Sequence, residues 1–128
     1  MLRWMNIVMT VVFALCVVVQ LNDPDALLWI LIYAYAVVVT GMAIADRYTV
    51  LTVIGCVGFL AGFAYLSPGF LAVENPMDLV TDIQMDEKGV EVAREAGGLL
   101  ITSAWLFVLS VVWFRRRKDE TAEAPTEE

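Results

Sequence analysis

The sequence predicts an all-α membrane protein whose four transmembrane helices form an antiparallel up-down bundle. Of its 128 residues, 60% are hydrophobic, whereas soluble domains contain about 45–50% apolar residues. These residues gather into four runs, each close to the ~20 residues that a helix needs to cross the hydrocarbon core of a bilayer. Charged residues lie almost entirely outside the runs. Hydrocarbon is therefore the expected solvent for most of the chain.

The four runs set the predicted boundaries. The first run has no small-x-small cleavage site, so we expect a retained helix rather than a signal peptide. The predicted helices cover residues 4–21, 26–45, 48–66 and 97–114 of a transmembrane domain at residues 1–114, and the last helix extends back to about residue 87. Residues 67–96 form a predicted extracytoplasmic acidic loop, and residues 115–128 a predicted disordered cytoplasmic tail.

Basic residues predict the orientation of the helices. Arg3 precedes the first run, Arg47 separates the second from the third, and the basic run from Arg115 to Lys118 follows the fourth. Four spans place all three on one side, and basic loops remain in the cytoplasm. We therefore predict that both termini are cytoplasmic. The short chain and compact loops favour a bacterial inner membrane.

A polar hinge at residues 20–25 separates the first two runs. Asp23 suits the N-cap of the second helix, Pro24 suits its first helical position, and Asp25 complements the positive end of the helix dipole. Capping explains these three residues, but it does not explain the amides of Gln20 and Asn22. A functional role for the hinge therefore stays open beside the capping role.

Glycines mark the predicted packing positions. Gly58 and Gly62 in the third run form a GxxxG motif, and this spacing lets two helix backbones approach closely in lipid. We expect packing within the chain, with a dimer face as the alternative. Gly98 is the packing glycine of the fourth run. The segment Ser67-Pro68-Gly69 is predicted to end the third helix, because proline cannot continue helical hydrogen bonding.

The last helix carries a predicted face of polar, small and aromatic residues that points toward other helices. Its members recur at three- or four-residue steps, and they are Glu91, Glu95, Gly98, Thr102 and Trp105. Upstream, Asn75-Pro76 predicts a short amphipathic helix in the outer loop. Alternation over residues 83–92 leaves a hairpin as the alternative to the extended last helix.

The predicted topology brings the hinge and the start of the last helix to the same side of the membrane. The expected outer polar cluster contains Gln20, Asn22, Asp23, Asp25, Glu91, Arg94 and Glu95. In one interpretation Arg94 neutralises the carboxylates and locks the hinge to the last helix. In the other, the oxygens bind Ca²⁺, Mg²⁺ or a small polar ligand. No cofactor is otherwise evident, and the absence of histidine disfavours zinc and haem.

Two polar stretches give the chain a close resemblance to the transmembrane protein 220 family. The first is Gln20-Leu21-Asn22-Asp23-Pro24-Asp25-Ala26, followed by Trp29, Tyr33 and Ala36. The second is Arg94-Glu95, followed by Gly98-Leu99, Ile101 and Ala104-Trp105. The resemblance covers roughly a third of the chain and implies a small four-helix membrane protein. It implies no molecular activity and no catalytic residue.

The net charge and the residue types disfavour several classes of function. A net charge of −7 disfavours nucleic-acid binding. Catalysis is not favoured, because no Ser/His or Cys/His arrangement exists and Cys16 and Cys56 lie in different runs. We predict a structural or partner-binding protein of the bilayer, and leave open a homo-oligomer or an unidentified membrane partner. Ligand binding at the outer cluster is one alternative. Transport as an oligomer is another, since we expect few polar groups in the inner half of a single copy.

Overall fold

The computed structural model describes residues 1–22, 25–71 and 87–123. Helix α1 spans Leu2–Val19 and continues as one 3-10 turn at Gln20–Asn22. Helix α2 spans Ala26–Ile44, α3 spans Leu51–Leu71 and α4 spans Glu87–Glu123. The described ranges contain no β-strand.

All four helices contain a stretch long and apolar enough to cross a membrane. The candidate spans are Leu2–Asn22, Ala26–Ile44, Leu51–Pro68 and Val92–Glu123. Large apolar side chains cover their outer surfaces, as at Val19 and Leu27, which are 74% and 73% exposed. Such exposure is unfavourable in water but is the expected state of a lipid-facing residue. The all-α class with four membrane-length helices is thereby confirmed, and an antiparallel bundle is compatible with it.

The chain divides into two compact units. The first comprises Met1–Gly55 with Leu106–Glu128, and the second comprises Cys56–Trp105. In the first unit α1 packs against α2, and its fully buried residues include Phe13, Ala36 and Leu106. In the second unit a stripe of α4 is buried, with Ala93, Ala96 and Leu99 at three-residue steps. Both units are therefore built on helix-to-helix packing of small and aliphatic side chains.

Helix α2 begins two residues later than the capping pattern predicts. Asp25 occupies the N-cap position, with φ −101° and ψ 28°, and Ala26 is the first helical residue. The helix thus starts at the boundary predicted from the apolar run, and the side chain of Asp25 makes no capping hydrogen bond. Asp23 and Pro24 lie outside the described residues. Aspartate at either position suits an N-cap equally well, so the sequence pattern alone does not choose between them.

Helix α2 ends in a Schellman motif that makes the predicted tight turn. The amide of Arg47 donates to the carbonyl of Met42 (2.9 Å), and the amide of Asp46 donates to the carbonyl of Ala43 (3.1 Å). Asp46 takes the left-handed position that glycine usually occupies, with φ 63°. Aspartate is one of the few residues that tolerate this conformation.

Helix α3 continues through the proline that was expected to end it. Pro68 lies inside the helix, which reaches Leu71. A proline at this position lacks the N–H that would bond to the carbonyl four residues earlier, which is that of Ala64. The hydroxyl of Ser67 donates to this carbonyl at 2.8 Å. The serine thus supplies the hydrogen bond that the proline cannot.

Helix α4 begins at Glu87, where we place the extended start of the last helix, and it ends at Glu123. Residues 115–123 are therefore helical where a disordered tail is predicted. Arginine, lysine, glutamate and alanine are strong helix formers, so a charged segment continues the helix once a packed span has nucleated it. The predicted amphipathic helix starting at Asn75 lies outside the described residues, as do residues 124–128.

Candidate functional site

The hinge segment, residues 20–25, presents polar side chains at one end of the first unit. Gln20 is half-buried in the 3-10 turn, whereas Asn22 and Asp25 are exposed. Asp25 takes part in a side-chain interaction, and its carbonyl accepts the amide of Leu28 at 3.2 Å. The hinge therefore offers an exposed amide and an exposed carboxylate next to a helix N-terminus, where negative charge is favoured.

The helix-four segment, residues 91–95, belongs to the second unit. Arg94 is exposed, while Glu95 is half-buried and has an interaction of its own. The backbone of Glu91 is helical, but its side chain lies outside the description, as does Asp23 in the hinge. The predicted meeting of the two segments in one cluster stays a prediction. Among the described residues no three carboxylate, thiol or imidazole groups gather around a common point.

Near the start of α4, the buried face lies about one residue position away from the predicted face. Thr102 and Trp105 are buried as predicted members, and Gly98 is half-buried. The buried stripe nearer the helix start contains the small residues Ala93 and Ala96, whereas Glu95 is only half-buried. This offset has a physical cause, because alanine allows close helix approach at no desolvation cost whereas a buried carboxylate is expensive.

A close helix approach in the first unit occurs at Gly55, which lies outside the GxxxG motif. A Cβ atom placed on Gly55 would lie 2.5 Å from Cε1 of Tyr35 and 2.7 Å from Cδ1 of Leu106. Tyr35 is fixed by its hydroxyl, which donates to the carbonyl of Leu51 at 2.7 Å. A lone glycine inside an apolar run is the only sequence signal for this contact, and it is weak.

The two glycines of the GxxxG motif behave differently from each other. A Cβ on Gly62 would lie 3.1 Å from Cδ1 of Leu99, so this glycine lies against α4 within the second unit. A Cβ on Gly58 would meet none of the described residues within 4 Å, and Gly58 is exposed. Gly58 therefore remains available to lipid or to another chain.

Arg116 forms an ion pair and a cation–π contact at the basic end of the first unit. Arg116 Nη2 donates to Asp46 Oδ1 at 2.9 Å, with the two side chains 47% and 75% exposed. The guanidinium carbon lies 4.5 Å from the centroid of the Tyr48 ring, within cation–π range. Arg117 lies 5.2 Å from the centroid of the Trp113 ring. The contacts of Arg116 tie the end of α4 to the α2–α3 turn, whereas that of Arg117 lies within α4.

Polar side chains are also buried within the spans of the first unit. Asn6 and Thr40 are 0% exposed, Thr52 is 1% and Ser110 is 5%. The hydroxyl of Thr52 donates to the carbonyl of Thr49 just before α3 at 2.9 Å, and that of Ser110 donates to the carbonyl of Leu106 in its own helix at 2.7 Å. The expectation of few polar groups in the half of the bundle nearer the basic end is therefore wrong. A single asparagine inside an apolar run was the available signal.

Comparisons with known proteins agree with the resemblance seen in the sequence. The family described as "Transmembrane family 220, helix" matches residues 12–111. A relative from Xenopus laevis, named Transmembrane protein 220, is 33% identical over 120 residues. That alignment covers 83% of this chain and 56% of the relative, so the chain spans little more than half of the relative's length. No solved structure matches the chain.

The family match extends across most of the four spans and includes both the hinge segment and the helix-four segment. The fold carries the four membrane-length helices that a multi-pass membrane protein requires. On the family match, the relative and the fold together, this chain belongs to the transmembrane 220 family.

Proposed function

We propose that this chain is a non-catalytic, multi-pass membrane protein whose hinge and helix-four segments form a surface for a membrane partner protein. The observation that supports the proposal is the exposure of Asn22, Asp25 and Arg94. A ligand site that acts on a small molecule is concave and places convergent polar groups in a largely buried pocket. Exposed amide, carboxylate and guanidinium groups are instead suited to the polar contacts of a protein interface.

Catalysis has less support than partner binding. The sequence contains no histidine, and the two cysteines are free thiols on different helices, Cys16 on α1 and Cys56 on α3. A nucleophile needs an adjacent base to activate it. The carboxylates at the hinge and at α4 are the remaining acid–base candidates, and at least Asp25 is open to solvent rather than held in a dry pocket.

Site-specific photocrosslinking in native membranes tests the partner surface. A photoreactive side chain at position 22 or 94 is expected to give a discrete crosslinked product, and Asp25→Arg in the same chain is expected to remove it. Leu27 is the matched control, because it is 73% exposed but apolar, so a probe there reports contact with lipid. Equal products from positions 22, 94 and 27, unaffected by Asp25→Arg, would contradict the proposal.

We propose the orientation with both termini in the cytoplasm, supported by the basic residues at Arg47 and Arg115–Lys118. A single cysteine at position 22, in a Cys16→Ala/Cys56→Ala background, is expected to react with an impermeant maleimide from outside the cell. A cysteine at position 118 is expected to react only after the membrane is opened. The reverse pattern would invert the topology. Short connections, such as the turn at Asp46, support a bacterial inner membrane as the proposed location, while the Xenopus laevis relative is an animal protein.

The oxygens of Asn22 and Asp25 support a second candidate, the binding of Ca²⁺ or Mg²⁺ at the outer cluster, because both cations prefer carboxylate and amide oxygens. Such binding predicts a higher unfolding midpoint in detergent when millimolar Ca²⁺ or Mg²⁺ is added. The increase would be lost in Asp25→Ala and in Glu95→Ala. An unchanged midpoint in the parent protein would exclude this candidate.

Transport by an oligomer is the third candidate, supported by the exposure of Gly58 on α3. A second copy that packs on this position would be displaced by a large side chain. Gly58→Leu is therefore expected to abolish both the dimer and any solute flux in proteoliposomes. Flux that persists in this variant would exclude a pore formed at Gly58.

A further inference from the structure

Asn6 is a fully buried amide inside a membrane-spanning helix. Its side chain is 0% exposed. Neither its Nδ2 nor its Oδ1 has a hydrogen-bond partner within the described part of the chain. Water is absent from the hydrocarbon core, so an unsatisfied polar group is strongly disfavoured there. A buried unpaired group in a native structure often indicates an unseen water or ion.

Thr40 of α2 presents a second orphaned group. It is 0% exposed, and within the described residues its hydroxyl has no partner. Threonine in a helix commonly donates to a carbonyl of the preceding turn. Thr10 does so, with its hydroxyl 2.7 Å from the carbonyl of Asn6. Thr40 makes no such bond, which leaves its hydroxyl available to a group outside its own helix.

The register of α1 and α2 places these two residues at the same depth. Asn6 lies thirteen residues before the end of α1 at Val19, and Thr40 lies fourteen residues after the start of α2 at Ala26. At the 1.5 Å rise of an α-helix, both are about 20 Å from the hinge. The two helices pack against each other, and both side chains are on buried faces.

We propose that Asn6 and Thr40 form one intramembrane water-binding site between α1 and α2. The amide supplies a donor and an acceptor, and the hydroxyl supplies either. Together they give the two to four polar contacts that a buried water uses. A cation fits these groups poorly, because it needs several oxygen ligands and would leave the Nδ2 donor unsatisfied. The bound water links the two helices in the half of the bilayer nearer Arg47.

Water contact is measured directly on protein labelled with ¹⁵N-asparagine in nanodiscs of deuterated lipid. The expected result is a magnetisation-transfer cross-peak between water and the side-chain amide protons of Asn6, assigned by its loss in Asn6→Leu. Asn22, which is exposed, provides the positive control. Thr40→Val is expected to remove the Asn6 cross-peak. Thr52→Val is the matched control, because Thr52 is almost equally buried but its hydroxyl already donates to the carbonyl of Thr49, three residues earlier.

A double-mutant cycle tests whether the two residues act as one site. Asn6→Leu and Thr40→Val are expected to be non-additive by about threefold in the unfolding equilibrium constant, as for other polar contacts in membranes. The pair Asn6→Leu and Thr52→Val is expected to be additive. A missing Asn6 cross-peak in the parent protein, or one that survives Thr40→Val, would overturn the water site. Coupling without a water cross-peak would indicate a direct hydrogen bond and would overturn it equally.

Discussion

Replacing Gly55 with alanine is expected to destabilise the protein, although alanine is the better helix former. The added methyl group would lie 2.5 Å from Cε1 of Tyr35 and 2.7 Å from Cδ1 of Leu106, well inside van der Waals contact. Neither neighbour moves freely. Tyr35 is held by its hydrogen bond to the carbonyl of Leu51, and Leu106 is 0% exposed.

The expected magnitude follows from two opposing terms at Gly55. Overpacking a filled core costs about 1–3 kcal/mol. The change from glycine to alanine inside a helix returns about 0.5–1 kcal/mol. The net loss in the free energy of unfolding therefore lies between about 0 and about 2.5 kcal/mol, with a central value of about 1 kcal/mol. If the Tyr35 ring swings away instead, the lost hydrogen bond costs about 0.5–1.5 kcal/mol, and the gain in helix propensity reduces the net loss to at most about 1 kcal/mol.

Reversible unfolding in mixed detergent micelles, followed by the fluorescence of the four tryptophans, measures this loss. Gly58→Ala is the matched control on the same helix, because its Cβ would have no neighbour within 4 Å in the part of the chain that the structure describes. It is expected to be neutral or stabilising by up to about 1 kcal/mol. In the double variant, Leu106→Ala is expected to relieve part of the cost of Gly55→Ala, because it removes one of the two side chains that the new methyl group would meet. Equal stability of Gly55→Ala and Gly58→Ala would refute the packing argument.

The same assay checks four further predictions. The free energy of unfolding of Asp46→Gly is expected to remain within about 0.5 kcal/mol of the parent, because glycine relieves the strain of the left-handed backbone and so offsets the loss of an exposed ion pair. Asp46→Val keeps the strain and is expected to lose at least about 1 kcal/mol. Equal stability of the two variants would contradict the role assigned to the φ of 63°. Arg116→Gln is expected to cost at most about 1 kcal/mol, with a smaller difference in high salt; a larger cost that salt leaves unchanged would argue against an exposed pair. Ser67→Ala is expected to cost about 0.5–1.5 kcal/mol by leaving the Ala64 carbonyl unsatisfied, and a Ser67→Thr variant as unstable as Ser67→Ala would contradict this. Tyr35→Phe is expected to cost about 1 kcal/mol for one hydrogen bond, and no measurable change would show that the ring alone determines the packing.

The sequence predicts the helices well because lipid leaves few alternatives. Every backbone polar group in the hydrocarbon core must be bonded internally, so an apolar run of ~20 residues has to become a helix. The tight turn at Asp46 and the start of α4 at Glu87 also follow from local patterns. The N-cap position of Asp25 and the passage of α3 through Pro68 do not, because each depends on a competition between neighbouring residues.

The packing contacts were harder to predict than the helices. A GxxxG pattern marks Gly58 and Gly62, yet Gly55 is more tightly enclosed by neighbouring side chains than either of them. Which glycine faces a neighbour depends on helix rotation, and uniformly apolar helices give no amphipathic signal to set it. The buried Asn6 is a similar case. The sequence alone reveals a polar residue in an apolar run. It does not reveal the partner of that residue, which depends on the register of another helix.

Ser67 and Pro68 lie outside all of these contacts, yet the hydroxyl of the first substitutes for the amide that the second lacks. Substitutions at positions 67 and 68 are therefore expected to depend on each other. A relative that loses the proline regains an ordinary backbone donor and is free to carry any residue at the position before it. A relative that keeps the proline is expected to retain serine or threonine there, so variation at these adjacent positions should be correlated across the family.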